Sequence, residues 1–172
     1  MFSAKETALI ASMSSVYAGY SFLSSNTIGG LTHGVDTFFL RSLLFVVLSF
    51  TGVRAGSASL MGLVSGTIIE FTTPSPIHFY IFPSVVSYGV TYDIFTWKRR
   101  SMRLPGSATV LLATLLSSTI MAVIALAVFT LAGFFPPEIL PIMWFFGIMR
   151  DALVGVAGAF AGIKIANALL DI

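Results

Sequence analysis

Apolar residues in this chain come in long, nearly unbroken blocks. Neither strict alternation nor a clear three-and-four spacing runs through them. Short polar breaks separate the blocks: SSNTIGGLTHG (24–34), RAG (54–56), TTPSPIH (72–78), WKRRSMRLPG (97–106) and FFPPEILP (134–141). Proline removes a backbone donor and clashes with the preceding turn, and Gly/Ser/Thr clusters favour loops, so each break reads as a connection. Six helices are predicted, over residues 5–23, 36–53, 57–71, 79–95, 107–133 and 151–169. Pro83 falls in the first turn of the fourth or at a kink. Residues 142–149 either extend the last helix or form a separate turn. A closed β-barrel requires polar positions alternating with apolar ones, and the uniform runs lack them.

Composition turns this pattern into a class. Of 172 residues, 56% are hydrophobic and 9% charged, with mean hydropathy +0.96. A soluble domain of this size cannot hide so much apolar surface, so the fold expected is all-α: a polytopic membrane protein, one six-helix transmembrane bundle spanning 1–172 as a single integral domain. The net charge of +2 is small and not spread as a nucleic-acid surface, so no nucleic-acid partner is expected. Without cysteine there is no disulfide framework, thiolate chemistry or Cys metal site. No signal peptide is expected, because the first apolar stretch, 8–23, is too long for one and further membrane-like segments follow.

Charge fixes a direction. Lys98, Arg99, Arg100 and Arg103 cluster in one connection, and such clusters stay cytoplasmic. Trp97 beside them suits an interfacial position. Six spans then place both termini in the cytoplasm, with Lys5, Arg54 and Lys164 on the same side. The connections around Asn26, Ser75 and Pro137 face outward, and the location expected is the cell membrane.

Depth points to a site. At 1.5 Å rise per residue, Arg41 stands roughly 20 Å from the inner boundary at Arg54, Arg150 about 21 Å from Lys164, and Glu70 about 24 Å from Arg54. In a hydrocarbon core of roughly 30 Å these three charges, from three helices, share the outer third. Asp36, Asp151 and His78 lie near that level or above it. Such charges are costly unless they face a partner, water or a ligand, so a polar chamber near the outer surface is expected. Arg41 and Arg150 suit an anionic or carbonyl group, and Glu70 an amine or ring N–H. Glu70 equally suits an ion pair with Arg41 or Arg150. Asp151 joins this candidate set, with N-capping of the last helix as its other reading. Phe79, Tyr80, Trp144, Phe145 and Phe146 sit at the same level. Trp144 and Tyr80 are the aromatic candidates for stacking on a ring-bearing ligand. Asn26, Tyr17 and Tyr20 are placed to close the chamber, and Asp93, at the other end of its helix, to pair with the basic connection.

Small residues recur every four positions in three helices: Ala4, Ala8 and Ser12; Ala58, Gly62 and Gly66; Gly158, Gly162 and Ala166. Such faces allow close helix approach. The last two are expected to pack inside the chain, and the first is a candidate partner face. His33 and His78 lack certain companions for a metal, and no metal or cofactor is expected. No HExxH motif, phosphate loop or placed nucleophile–base pair is present, so an enzyme is not expected.

The small-rich first helix, VRAGSASLMGLVSG (53–66), TTPSPIHFYIFP (72–83) and the Gly/Ala-rich end IKIANALL (163–170) together resemble the substrate-binding S component of energy-coupling-factor vitamin transporters. That resemblance covers the whole chain. It implies a binding subunit that captures a vitamin or precursor from outside. It also implies a transmembrane coupling subunit and two cytoplasmic ATPases as partners, with ATP hydrolysis on those partners. An Ala-x-x-x-Ala face on the first helix would meet the coupling subunit; here that is Ala4 with Ala8, or Ala8 with Ser12 where the second alanine is replaced. GIMRDALVG (147–155) also resembles the Gly-rich Arg-Asp segment of trimeric intracellular cation channels. Those have seven helices and usually carry the segment twice, and here it occurs once. A cation channel is therefore the alternative function, and a structural membrane subunit the third.

Overall fold

Ser3 opens the first helix with a reciprocal cap. Its hydroxyl accepts the Glu6 N–H at 3.2 Å, and its own N–H donates to the Glu6 carboxylate at 2.7 Å. From there, a computed structural model describes residues 2–27, 34–73, 78–100 and 106–170, without the side chains of His78, Lys98, Arg99, Arg100 and Leu170. They form six α-helices: α1 (Ala4–Asn26), α2 (Val35–Phe50), α3 (Ser57–Thr72), α4 (Ile81–Arg100), α5 (Ser107–Leu131) and α6 (Leu140–Leu170). Single 3-10 turns at His78–Tyr80 and Pro137–Ile139 lead into α4 and α6. His33, Arg103 and most of the 24–34 and 72–78 connections lie outside the described residues.

The all-α, six-helix expectation matches this architecture, but two boundaries move. α4 runs on through Trp97 to Arg100, where a connection was expected. Lys and Arg are good helix formers, and the first strong breaker is Pro105. α6 begins at Leu140, so residues 142–149 extend the last helix, the first of their two readings, and the helix starts eleven positions ahead of Asp151. Pro141 is tolerated there because a first-turn N–H has no intrahelical acceptor to lose. Asp151 is consequently in the interior of α6, and its reading as an N-cap is corrected. The α5 end is sharp for a local reason. Gly133 takes φ +70°, its N–H bonds Thr130 O at 3.1 Å, and the Phe134 N–H reaches Phe129 O at 3.2 Å. This left-handed closure satisfies carbonyls that the helix itself cannot, and two prolines follow it.

Around the bundle the helices run α1, α2, α6, α5, α4, α3, each packed on the next. Two seams are unusually close. A Cβ added to Gly162 of α6 would stand 2.8 Å from the Leu43 carbonyl oxygen of α2, and one on Gly62 of α3 2.9 Å from the Val85 carbonyl oxygen of α4. Gly155, Gly158 and Gly89 are as tightly faced. The small faces of α3 and α6 therefore pack within the chain, as expected. The stripe of α1 behaves differently: Ala4, Ala8 and Ser12 are exposed, while Ile10, Ser14, Tyr17, Ala18 and Ser21 turn inward.

The interior is aromatic with a polar thread. Phe45 meets Tyr88 edge-on at 4.9 Å between ring centres, and Tyr88 stacks over Tyr92. The Tyr88 hydroxyl donates to Ser42 Oγ at 3.1 Å, and Ser49 Oγ donates to the Tyr92 hydroxyl at 3.0 Å, so the buried phenols are satisfied. Asp93 is buried and accepts the Ser59 N–H at 2.6 Å and the Ser59 hydroxyl at 2.7 Å. It therefore holds the N-terminal turn of α3, a role not expected from sequence. The side chains of the basic connection lie outside the described residues.

Residues 107–131 and 137–169 are long and apolar enough to cross a membrane. The bundle's outer surface is apolar as well, carrying Leu63, Ile68, Ile94, Leu112, Leu153 and Phe160.

Candidate functional site

Two cavities open at one end of the bundle, where α1, α3 and α5 finish and α2, α4 and α6 begin. The smaller, about 250 Å³, lies among Tyr17, Ser21 and Ser24 of α1, Thr37 and Phe38 of α2, Ile69 of α3 and Ile81 of α4. The larger, about 790 Å³, lies between α2, α5 and α6 and is walled by Leu126, Phe129, Phe135, Phe146, Arg150 and Asp151. Gly34, Thr37, Phe38, Tyr80 and Met121 line both. Of the three charges grouped by helix depth, Arg150 lines the larger cavity, and Arg41 and Glu70 line neither.

Arg41 and Arg150 converge there on a single ring. The Arg41 guanidinium lies 5.0 Å from the centre of Phe38, and the Arg150 guanidinium 5.2 Å from it. Arg41 also lies 4.3 Å from the centre of Tyr88. The α2 spacing explains part of this: Phe38 and Arg41 are three residues apart and share a helix face. The tight α2–α6 seam supplies the rest, because glycines at 158 and 162 let α6 approach until Arg150 reaches the same ring. An arginine over an aromatic face is stabilised most where water is scarce.

The two arginines differ in their partners. Arg150 is exposed and bridges to its neighbour: Nε and Nη2 each stand 2.9 Å from Asp151 Oδ1. Asp151 is buried, so this contact neutralises a carboxylate that the helix interior would otherwise leave bare. Arg41 is completely buried. Its Nη1 donates to the Met121 sulfur, and its charge acts on the buried Tyr17 hydroxyl and on the Asp151 carboxylate.

The other candidates divide. Tyr80 lines both cavities, its ring 4.5 Å from that of Phe129. Tyr17 is buried in the wall of the smaller one. Tyr20 and Asp36 meet at its rim, where Asp36 also accepts the Ser24 hydroxyl. Glu70 stands at this end, but its carboxylate accepts the Phe82 N–H at 3.1 Å and so closes the first turn of α4. Trp144 donates to Thr130 Oγ1 at 3.2 Å, bracing the start of α6 against the end of α5. Asn26 is exposed and donates to Phe22 O at 2.7 Å at the end of α1. Neither Trp144, Asn26 nor Glu70 is among the residues that wall the cavities. Phe79 and Phe145 are exposed. Sequence reasoning missed Phe38 and Met121. The i, i+3 relation to Arg41 was a usable signal for Phe38, whereas nothing distinguishes Met121 within the apolar run of α5.

Among the described residues no three His, Cys, Asp or Glu side chains stand close enough to hold a metal. Compared with models of known protein families, with curated proteins and with solved structures, the chain matches none.

Proposed function

We propose that this protein is the membrane-embedded binding subunit of a small-molecule uptake system, of the energy-coupling-factor S-component kind. Its cargo is a vitamin-like, ring-bearing solute taken from the external side. The observation that carries the reading is the pair of arginines from α2 and α6 flanking Phe38 beside the two cavities. Cavities of a few hundred Å³, mostly apolar with a few directed polar groups, suit small-molecule ligands.

A bilayer setting is supported by the apolar outer surface and by the hydroxyls. Outward-facing Thr67 donates to Leu63 O in its own helix at 2.8 Å, as a hydroxyl must where water is absent. In this reading the protein resides in the cell membrane, both termini are cytoplasmic and the cavity end faces out. The exposed Ala4–Ala8–Ser12 stripe of α1 is the surface offered to a transmembrane coupling subunit. ATP is hydrolysed by two cytoplasmic partner subunits, and this chain is not itself an enzyme.

The test is purification in detergent, followed by native mass spectrometry and calorimetry. A monomer carrying a small molecule is expected. Arg150→Ala should weaken that molecule's binding by about 1.5–3 kcal/mol, the value of a charge-assisted hydrogen bond. A trimer that conducts cations in liposomes and carries no solute would replace this reading with a channel. Introducing Leu at Ala8 should abolish coupled uptake and leave binding intact.

A further inference from the structure

We propose that the solute is a neutral heterocycle that donates a ring N–H to Oδ2 of Asp151 in the larger cavity. This rests on the binding-protein reading above and names the chemical class of its ligand.

Asp151 is 5% exposed and lines the larger cavity from the interior of α6. Its direction is set by packing. Gly155, Gly158 and Gly162 follow it at helical spacing on one face of α6, and all three are pressed against neighbouring helices. The seam that closes α6 onto α2 and α5 therefore turns Asp151 inward.

An ionised carboxylate only accepts, through two oxygens with about four lone-pair positions. Both contacts from Arg150 fall on Oδ1, with Nε and Nη2 each 2.9 Å away. Oδ2 takes no hydrogen bond from a described residue, and it is not fully enclosed. Half of a buried carboxylate thus keeps its acceptor capacity in the wall of a cavity. Buried polar groups are overwhelmingly hydrogen-bonded, and a charged one left short is the costliest exception. A ligand N–H at Oδ2 removes that cost.

Charge selects a neutral donor. Arg150 touches Asp151, and the charge of buried Arg41 acts on it as well. A cationic ligand at Oδ2 would meet the field of both arginines, and an anion would set lone pairs against lone pairs. A second polar group serves the same space. Tyr80 lines the cavity, and the charges of Arg150 and Asp151 both act on its hydroxyl. An N–H beside a carbonyl, as in a lactam, offers a donor to Asp151 and an acceptor to Tyr80. The walls given by Leu126, Phe129, Phe135 and Phe146 suit the apolar faces of the ring, and about 790 Å³ admits a fused ring system.

The probes are four fused-ring compounds of similar size: a quinolone lactam, its N-methyl derivative, the N-methylquinolinium cation and a naphthoate anion. Binding to the purified full chain in detergent is measured by calorimetry. The lactam should bind at least roughly 10-fold more tightly than the other three, as expected for one hydrogen bond to a charged group. Asp151→Asn is nearly isosteric and keeps a carbonyl toward Arg150. It should melt cooperatively without ligand, which shows that it folds, and reduce the lactam preference several-fold. Asp151→Leu should abolish the preference; where that variant does not melt cooperatively, Asp151→Asn alone decides. Both variants are also measured against the solute that copurifies. The N-methyl compound, the cation or the anion binding as well as the lactam would overturn the proposal and leave the binding-protein reading standing. So would a preference undiminished in Asp151→Asn, or a copurified solute that has no N–H or binds Asp151→Asn as well as wild type. Binding of none of the four, together with no copurified solute, would overturn both.

Discussion

Gly158→Ala adds one methyl group where α6 crosses α2. The new Cβ would press directly on the Phe39 carbonyl oxygen and stand 3.1 Å from both the Phe39 carbonyl carbon and Ser42 Cβ. Carbon atoms pack comfortably at about 3.5–4.0 Å, and a backbone carbonyl held in a helix cannot rotate aside, so the helices must separate. Overpacking of this kind costs typically 1–3 kcal/mol. Alanine returns up to about 1 kcal/mol through its better helix propensity. The net expectation is destabilisation by about 1–2 kcal/mol, a fall of about 2–8 °C in melting temperature for a chain of this length. Gly19→Ala provides the control, because its Cβ would meet nothing within 4 Å. There the propensity gain acts alone and should stabilise by about 0.5–1 kcal/mol. Both are measured by thermal unfolding in the same detergent, followed by tryptophan fluorescence. A Gly158→Ala protein as stable as wild type, or a Gly19→Ala protein that falls equally, would refute the assignment of α6 glycines to an intrachain seam.

Asp93→Ala should destabilise by about 2–3 kcal/mol, since it strands the Ser59 N–H and hydroxyl, and Asp93→Asn should cost less; equal melting of all three proteins would remove Asp93 as the anchor of α3. Glu6 lies in the first turn of α1, ahead of the apolar run, where hydrogen bonds from the Ser3 backbone N–H, the Ser3 hydroxyl and the Arg54 N–H hold its carboxyl below the usual range. A depressed folded pKa means that its contribution is present above the unfolded value and disappears as pH falls through the folded one. Glu6→Gln should therefore flatten the acid limb of melting temperature against pH, and an unchanged limb would contradict this. Trp144→Phe should lower the melting temperature slightly through loss of the Thr130 bond and leave ligand affinity within a factor of a few; a large loss of affinity would place Trp144 on the ligand after all.

Legibility varied with the range of the interaction involved. The six helices and most of their ends follow from local chemistry, in which Pro105, Gly133 and the Ser3–Glu6 pair act within a few residues of themselves. The start of α6 stayed open between two readings because a proline that ends one helix and a proline inside the first turn of the next look alike in a linear reading. Helix rise brought Arg41, Arg150 and Glu70 to one end of the bundle, but rise carries no information about azimuth. Glu70 turned to the N-terminus of α4, and the arginines turned to Phe38.

The sequence by itself determined the class of architecture, the number of helices and the level at which charge collects, because hydropathy and rise per residue are properties of a segment taken alone. Only the tertiary structure decided which charges meet. Whether Arg150 reaches the ring beside Arg41 depends on how closely α6 lies against α2. That distance is set by glycines and carbonyls more than a hundred positions apart in the chain. The complete burial of Arg41 is likewise a property of the packed bundle, since burial exists only once the other helices surround it.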